Sequence, residues 1–305
     1  MKEINYKMML ATLAFGLLIW FLPVPEGVKP EAWHLLAIFL ATILGIILKA
    51  ASMGTMSMIA IAIVALTGVL APGNPGKSIS MALSSFGDKV IWLIGISFFI
   101  ARGFIKTGLG SRIAYLFIRV FGRSSLGLGY GLGLADLVLA PAIPSNTARG
   151  GGIIYPIMKS MALNFDSVPE KPETHRKLGG YLTLSCYNIN LITSSMFLTG
   201  TASNPMCQKF AADLGINITW MSWMWAAIIP GIISLILVPY ILYKIYPPEI
   251  KSTGGAPKMA SEKLKEMGAV TRNEWLMLTA FVVLLFLWIT GDIFKIDATT
   301  TAFIG

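Results

Sequence analysis

The chain has 305 residues, of which 55% are hydrophobic and only 13% are charged, and its mean hydropathy is +0.71. Soluble domains carry about twice that share of charged residues, so the composition excludes an ordinary soluble protein. The formal net charge of +9 would suit a nucleic-acid-binding protein, but the distribution of the basic residues, described below, excludes that class, and no nucleic-acid partner is expected.

Seven apolar runs are long enough to be membrane spans, which need about 20 apolar residues. They cover residues 8–22, 33–48, 54–71, 88–105, 178–198, 221–243 and 273–290. The first run has the basic start of a signal peptide, but it lacks a small-x-small cleavage site and more spans follow, so we interpret it as a retained helix. The fold class predicted is an all-α polytopic membrane protein, placed in the cell (inner) membrane in contact with lipid.

Lysine and arginine are concentrated in one set of alternate loops. Lys2 belongs to this set, and only Lys29, Lys77 and Lys295 lie in the other set. Because basic residues in short loops stay on the cytoplasmic side, the N-terminus is predicted to be cytoplasmic. The positive charge is thus explained by topology.

An amphipathic segment follows the fourth apolar run, in residues 103–123. Its apolar residues recur at helical spacing and basic residues occupy the other positions; they are Ile105, Leu109, Ile113, Leu116, Phe117 and Val120, against Lys106, Arg112, Arg119 and Arg123. This pattern predicts a helix in the cytoplasmic interface of the membrane. The alternative is an extended end of the preceding span.

Four alternating glycines, Gly127, Gly129, Gly131 and Gly133, lie in the run that comes next. Their spacing does not match a phosphate-binding loop. They form two small-xxx-small pairs, 127/131 and 129/133, which predict close helix packing.

The stretch PAIPSNTARGGGIIYP, residues 141–156, interrupts an apolar region. The run before it, 125–140, would extend only about 24 Å as a helix, and the run after it, 148–161, is shorter. Neither crosses a hydrocarbon core about 30 Å thick. We therefore predict a re-entrant hairpin that enters from the cytoplasmic side, with residues 141–147 at its tip.

The tip has the chemistry of an ion or anion site. Pro141 and Pro144 end the first helix, and Ser145, Asn146 and Thr147 carry side chains preferred at helix N-termini. The second helix directs its positive dipole end towards the tip, and hydroxyl and amide oxygens are hard ligands suited to Na⁺. Such irregular backbone is tolerated within a membrane only when protein or a wet cavity surrounds it.

A second break is predicted in residues 178–212, which as one helix would extend more than about 50 Å. Thr199–Pro205 is the natural interruption. The polar residues around it are neutral; they are Asn188, Asn190, Thr193, Ser194, Ser195, Thr199, Thr201, Ser203 and Asn204. The alternative is a span that ends near Leu198, followed by an external turn.

Three charged residues lie in these apolar segments: Asp136, Arg149 and Lys209. Charge within a membrane is costly and indicates function by default. Arg149 has two open roles, contact with a substrate carboxylate or pairing with Asp136. Lys209 is expected to reach the outer surface.

Residues 246–272 form the one long hydrophilic stretch, rich in proline and glycine, and a flexible cytoplasmic linker is predicted there. The chain then ends in an apolar, threonine-rich run, TTTAFIG. From this ending we expect that the chain is truncated.

PSNTARGGGIIYP and TGTASNP resemble motifs of the divalent anion/sodium symporter family, in particular its citrate/succinate and 2-oxoglutarate/malate translocator branch. The resemblance implies that the Ser-Asn-Thr triplet binds Na⁺ and a substrate carboxylate. The substrate-binding residues expected are Ser145, Asn146, Thr147, Arg149 and Asn204. The Na⁺ ligands expected are Ser145, Asn146, Thr193, Thr199, Gly200 and Thr201.

The resemblance also implies an inverted-repeat carrier that forms a homodimer. The regions expected are scaffold helices in 1–123, half of a transport domain in 124–247, the linker in 248–272, and the first span of an incomplete second repeat in 273–305. The function expected is secondary active transport of small di- and tricarboxylates, by Na⁺ symport or anion exchange. Na⁺ as a coupling ion is the one cofactor considered.

Alternatives to transport are an anion channel and a non-functional truncated fragment of such a carrier. An enzyme is not expected, because the sequence has neither an H-E-x-x-H nor a G-x-S-x-G motif.

Overall fold

Helices form the regular structure of residues 4–305, the part of the chain that the computed structural model describes. Lys2, one of the residues behind the predicted cytoplasmic N-terminus, lies outside the described residues. The α-helices are α1 (Tyr6–Phe21), α2 (Pro30–Ile47), α3 (Met53–Thr67), α4 (Pro75–Leu83), α5 (Lys89–Thr107), α6 (Leu109–Phe121), α7 (Ser125–Leu139), α8 (Tyr155–Asn164), α9 (Gly179–Met196), α10 (Ser203–Asp213), α11 (Trp220–Ile245), α12 (Gly255–Glu266), α13 (Arg272–Phe294) and α14 (Ala298–Ile304). A π-helix, Thr147–Ile154, precedes α8, and two short 3-10 helices cover Ser84–Gly87 and Pro172–Thr174. The predicted all-α class is confirmed for these residues.

Four of these helices are long and apolar enough to cross a membrane: α2, α5, α11 and α13. The shorter apolar helices α1, α3 and α7 have 15 or 16 residues. α9 has 18 residues, but neutral polar side chains interrupt its apolar surface. Each of the seven predicted runs coincides with a helix of the structure, with ends that differ by a few residues.

The chain divides into two compact units, residues 1–91 and 92–305. In the first unit, α1 and α2 pack closely, and the indole nitrogen of Trp33 donates to the carbonyl oxygen of Ile19 at 3.0 Å. His34 stacks on Trp20 with ring centroids 4.0 Å apart. A cavity among α1, α2 and α3 is lined almost wholly by apolar side chains, so it lacks the groups that an anion would need.

In the second unit, α7 lies at the centre and presents its two glycine pairs to two different helices. A Cβ on Gly127 would lie 2.2 Å from the carbonyl oxygen of Phe121, at the end of α6. On the other face, a Cβ on Gly129 would lie 2.8 Å from the hydroxyl of Tyr181 in α9. The predicted packing role of these glycines is confirmed, because only a bare backbone allows both neighbours to approach.

α6 is a separate helix and not an extension of α5, because Gly108 adopts a φ of +80° between them. It packs against α7 and α12. Arg112, which the amphipathic pattern assigned to the polar face, is instead buried and forms an ion pair with Glu274 at 2.6 Å. The pattern missed this partner because Glu274 is 162 residues away in the sequence.

Residues 246–272 are not the flexible linker that their composition predicts, since they contain α12. Ala256 and Ala260 are fully buried against the core. Small residues four positions apart lie on one helix face and permit close packing against α6. Pro257 occupies the first turn of α12, where proline removes no helical hydrogen bond. The proline and glycine that suggested a loop are therefore compatible with a packed helix.

Candidate functional site

The first break is a buried turn of residues 140–146 between α7 and the π-helix. α7 ends at Leu139, and Pro141 and Pro144 follow. Proline has no backbone N–H to donate within a helix, and its ring clashes with the carbonyl of the preceding helical turn. Both prolines therefore favour the interruption. The Ala142 and Ile143 side chains are buried. The break therefore lies inside the protein.

Ser145 and Asn146 cap the helix that leaves this break. Ser145 Oγ accepts a hydrogen bond from the backbone N–H of Ala148 at 3.1 Å, and Asn146 Oδ1 accepts one from Thr147 at 2.9 Å. The carbonyl oxygen of Ser145 also accepts from the backbone N–H of Arg149. These contacts satisfy amides at the start of the helix, as the sequence predicts for Ser145 and Asn146.

The helix after the tip begins as a π-helix that contains three consecutive glycines, 150–152. π-helical turns are rare and often lie at functional sites. A Cβ on Gly150 would lie 3.1 Å from Cγ of Asn190 in α9, whereas a Cβ on Gly151 would meet no atom within 4 Å. The glycine run thus brings α9 close on one side and leaves open space on the other.

The second break covers residues 197–202, between α9 and α10. Asn204 Nδ2 donates to the carbonyl oxygens of Ser194 and Phe197, both at 2.8 Å, and so satisfies carbonyls at the end of α9. A Cβ on Gly200 would lie 2.5 Å from the carbonyl oxygen of Ser194, so no side chain fits there. Thr199 is 1% exposed. This burial favours a break inside the protein over an exposed external turn.

Arg149 is fully buried between the two breaks. A guanidinium has five N–H groups. It makes five hydrogen bonds, with acceptors from α7, α9 and both breaks. They are Asp136 Oδ1 at 3.0 Å, the carbonyl oxygens of Ile143 at 2.7 Å and Gly200 at 3.1 Å, and the hydroxyls of Ser194 at 2.7 Å and Thr193 at 3.3 Å. The donors of Arg149 are therefore all used within the protein.

Asp136 on α7 is the counter-charge of Arg149, and its side chain is 2% exposed. Besides the arginine, Asn190 Nδ2 donates to both of its oxygens at 3.1 and 3.3 Å, and Thr193 Oγ1 donates to Oδ2. Of the two roles left open for Arg149, pairing with Asp136 is the one observed. A buried charge needs such a partner and further hydrogen bonds, and Asp136 has both.

Thr199 connects the two breaks through its hydroxyl. Thr199 Oγ1 donates to the carbonyl oxygen of Pro141 at 2.6 Å and accepts from Trp220 Nε1 at 3.1 Å. Trp220 in turn stacks on Trp288 with an interplanar angle of 7°. The hydroxyl thus holds the first break against the second break and against α11.

A cavity of about 300 Å³ opens beside the tip of the first break, between the π-helix, α8 and α9. Its wall is mainly apolar, and its amide and hydroxyl groups come from Asn146, Thr147, Tyr155, Thr183, Tyr187 and Asn190. Among the described residues that line it, none carries an ionised side chain. The cavity therefore offers amide and hydroxyl groups beside a helix N-terminus, which is a neutral environment suited to a carboxylate accompanied by a cation.

The structure places the predicted site residues in three settings. Asn146 and Thr147 line the cavity, and Ser145 adjoins them. The residues used in buried hydrogen bonds are Arg149, Thr193, Thr199, Gly200 and Asn204. Thr201 is half-buried in the second break.

Sequence reasoning missed Asn190 as part of the site, although it noted the polar stretch that contains Asn190. Thr183, Tyr187 and Asn190 are spaced four and three residues apart, so they lie on one face of a helix. This polar stripe on an apolar helix was the signal available. It did not show that the stripe faces the tip of the first break.

Comparisons with known proteins place these features in a family. The model described as "Sodium:sulfate symporter transmembrane region" matches residues 3–305. The chain is 54% identical over 298 residues to the Bacillus subtilis (strain 168) protein named "Putative malate transporter YflS", with 97% of this chain covered. It is 47% identical over 302 residues to "Dicarboxylate transporter 1, chloroplastic" of Spinacia oleracea, with 99% covered. Over 303 residues it is 35% identical to the "Citrate/succinate antiporter" of Escherichia coli (strain K12), with 95% covered.

The chain spans about half to three fifths of the length of these relatives: 61%, 52% and 62% in the same order. Their names describe transporters and not enzymes. Together with the apolar helices, they identify a multi-pass membrane protein. The family indicated by the motifs of the two breaks is confirmed: the chain belongs to the sodium:sulfate symporter family.

Proposed function

We propose that the protein takes part in secondary transport of small di- and tricarboxylates, and that the cavity beside the first break binds the substrate. The observation that carries this proposal is the uncharged cavity of about 300 Å³ at the tip of a broken helix, whose mainly apolar wall carries amide and hydroxyl groups. The names of the relatives, which refer to malate, dicarboxylates and citrate/succinate, support the substrate class. The family match supports transport over catalysis.

In this proposal Ser145, Asn146 and Thr147 contact a substrate carboxylate, and Asn190, whose nitrogen donates to Asp136, forms part of the opposite wall. The cavity geometry supports this set because Asn146, Thr147 and Asn190 all line it. The start of the π-helix adds a positive dipole end beside the tip. Arg149 and Asn204 fit a supporting role better than direct contact, because their side-chain nitrogens already donate to buried oxygens.

We propose Na⁺ ligands among the same neutral oxygens. Ser145 Oγ and Asn146 Oδ1 each accept one hydrogen bond from the backbone, which leaves acceptor capacity on both atoms. Thr201, in the adjacent break, is the third proposed ligand. Thr193, Thr199 and Gly200 then hold the site together through the contacts already described. Such oxygens suit a hard cation.

Two coupling modes each have support. A cavity without ionised side chains favours entry of a carboxylate together with cations, because an unpaired charge is costly to bury. The name of the Escherichia coli relative, an antiporter, favours exchange of one carboxylate for another. An imposed Na⁺ gradient and an internal carboxylate therefore form separate arms of the assay below.

We propose that α7, the first break and α8 form a re-entrant hairpin within one half of an inverted-repeat carrier, in a bacterial inner membrane and with a cytoplasmic N-terminus. The side-chain hydrogen bonds to carbonyls of both breaks support placement at membrane depth, where unsatisfied backbone groups are costly. Dimerisation stays a prediction from the family resemblance.

The experiment that tests this function is uptake of radiolabelled succinate, malate and citrate into proteoliposomes. An imposed Na⁺ gradient forms one arm and an internal carboxylate the other, and the Escherichia coli citrate/succinate antiporter is the positive control. Asn146→Ala is expected to abolish uptake, because it removes a cavity-lining oxygen. Asn188→Ala is the matched control, because its side chain donates only to the carbonyl of Leu184 on its own helix. Saturable uptake by the wild-type protein is expected. Uptake that is unaffected by Asn146→Ala would contradict the proposed site.

A further inference from the structure

We propose that Arg149 is a positioning residue that joins the two breaks into one rigid unit and so fixes the tip of the first break relative to α9. The inference goes beyond the proposed function, which requires a site at the tip but does not say what holds that site in place.

The contacts of one guanidinium reach both breaks. Nη1 donates to the carbonyl oxygen of Ile143 in the first break and to that of Gly200 in the second. These acceptors are 57 residues apart in the sequence (200 − 143), so Arg149 closes a long segment of chain at one point. Both carbonyls lie where helices are interrupted, so neither has a regular helical partner.

The backbone of Arg149 holds the same break from the other side. Its N–H donates to the carbonyl oxygen of Ser145 at 2.9 Å, two residues after the carbonyl of Ile143 that its side chain binds. The turn from 143 to 149 is therefore fixed at both ends by one residue. Ser145, Asn146 and Thr147 lie within that turn.

The network also extends to the cavity wall. Arg149 Nε binds Asp136 Oδ1, and Asp136 accepts from Asn190, which lines the cavity. The tip and the facing side chain of α9 are thus held to the same ion pair. A shift of the guanidinium would move both walls of the cavity.

Lysine cannot replace arginine in this arrangement. Its ammonium is a compact charge with three donors, whereas the guanidinium presents five donors in a rigid plane. A lysine would retain the charge opposite Asp136, but its side chain is one atom shorter, so an ammonium paired with Asp136 would not reach the position of Nη1, from which the carbonyls of both breaks are bound. Arg149→Lys, which conserves the charge, should therefore remove the connection between the two breaks.

The test is amide hydrogen exchange, read by mass spectrometry on the whole chain in detergent. In Arg149→Lys and Arg149→Ala, exchange is expected to rise by about tenfold or more in both 140–146 and 197–202, a change that corresponds to about 1.4 kcal/mol of local stability. Arg112→Ala is the matched control, because it removes another buried, ion-paired arginine. It should raise exchange near 267–269, whose carbonyls Arg112 binds, and leave both breaks unchanged.

A rise in only one break, or in neither, overturns the inference. Added guanidinium should restore protection of both breaks in Arg149→Ala, and it should leave exchange in the breaks of Arg112→Ala unchanged. Arg149→Ala could fail to give folded protein, and Ser194→Ala, which removes one acceptor of the arginine, then replaces it. Exchange should again rise in both breaks, by a smaller factor. Because exchange needs no transport, a failure of the proposed function leaves this result interpretable.

Where transport is measured, Arg149→Lys should raise the substrate concentration for half-maximal uptake and Arg112→Lys should not.

Discussion

The side-chain nitrogen of Asn190 donates to both oxygens of Asp136, at 3.1 and 3.3 Å, while Asn190 also lines the cavity beside the first break. A residue of the cavity wall is thereby bonded to the buried ion pair that lies between the two breaks. The shape of the cavity and the packing of the breaks depend on the same few hydrogen bonds.

Asn190→Ala is expected to lower the free energy of unfolding by about 1.5–3 kcal/mol, the range for a hydrogen bond to a charged group. The loss follows because a buried carboxylate loses a donor. Thermal unfolding of the purified protein measures it. Asn188→Ala on the same helix should change the midpoint little, since its one side-chain bond is local. Equal effects of the two substitutions would show that the bond to Asp136 contributes nothing.

Thr199→Val is expected to lower the free energy of unfolding by about 1–3 kcal/mol, because the carbonyl of Pro141 and the indole N–H of Trp220 both lose their partner. The substitution preserves the shape of the side chain. Unfolding followed by tryptophan fluorescence measures the loss.

Thr290→Val is the control for Thr199→Val, since the hydroxyl of Thr290 binds only a carbonyl of its own helix, that of Phe286. It should have little effect on the midpoint. The Na⁺ concentration for half-maximal uptake should not change in Thr199→Val, because the proposed ligands are other residues. A large change in that Na⁺ concentration would indicate that Thr199 is a Na⁺ ligand.

Gly127→Ala is expected to destabilise the protein by about 1–3 kcal/mol, because the new Cβ would lie 2.2 Å from the carbonyl oxygen of Phe121. Thermal unfolding is again the measurement. Gly95→Ala, within α5, has no atom within 4 Å of the new Cβ and should be neutral or stabilising by up to about 1 kcal/mol. A tolerated alanine at position 127 would contradict the close packing of α6 on α7.

The helices were largely predictable from the sequence because local signals place them. Apolar runs marked seven helices, and prolines with a Ser-Asn-Thr triplet marked the first break. α12 was not predictable in this way: its glycine and proline content indicated a loop, and the buried Ala256 and Ala260 have a role only when α6 lies against them. Composition reports local preference, and packing against a distant helix overrides it.

For the candidate site, the sequence by itself determined the break, its capping residues and the neutral oxygens near it, since these follow from backbone chemistry within a few residues. Only the tertiary structure decided what each side chain does. Asp136 and Arg149 are separated by 13 residues, and Arg149 and Gly200 by 51. No local pattern specifies that one guanidinium will meet both, because that depends on how α7 and α9 pack. The packing makes Arg149 a partner of both breaks and leaves Asn146, Thr147 and Asn190 facing the cavity.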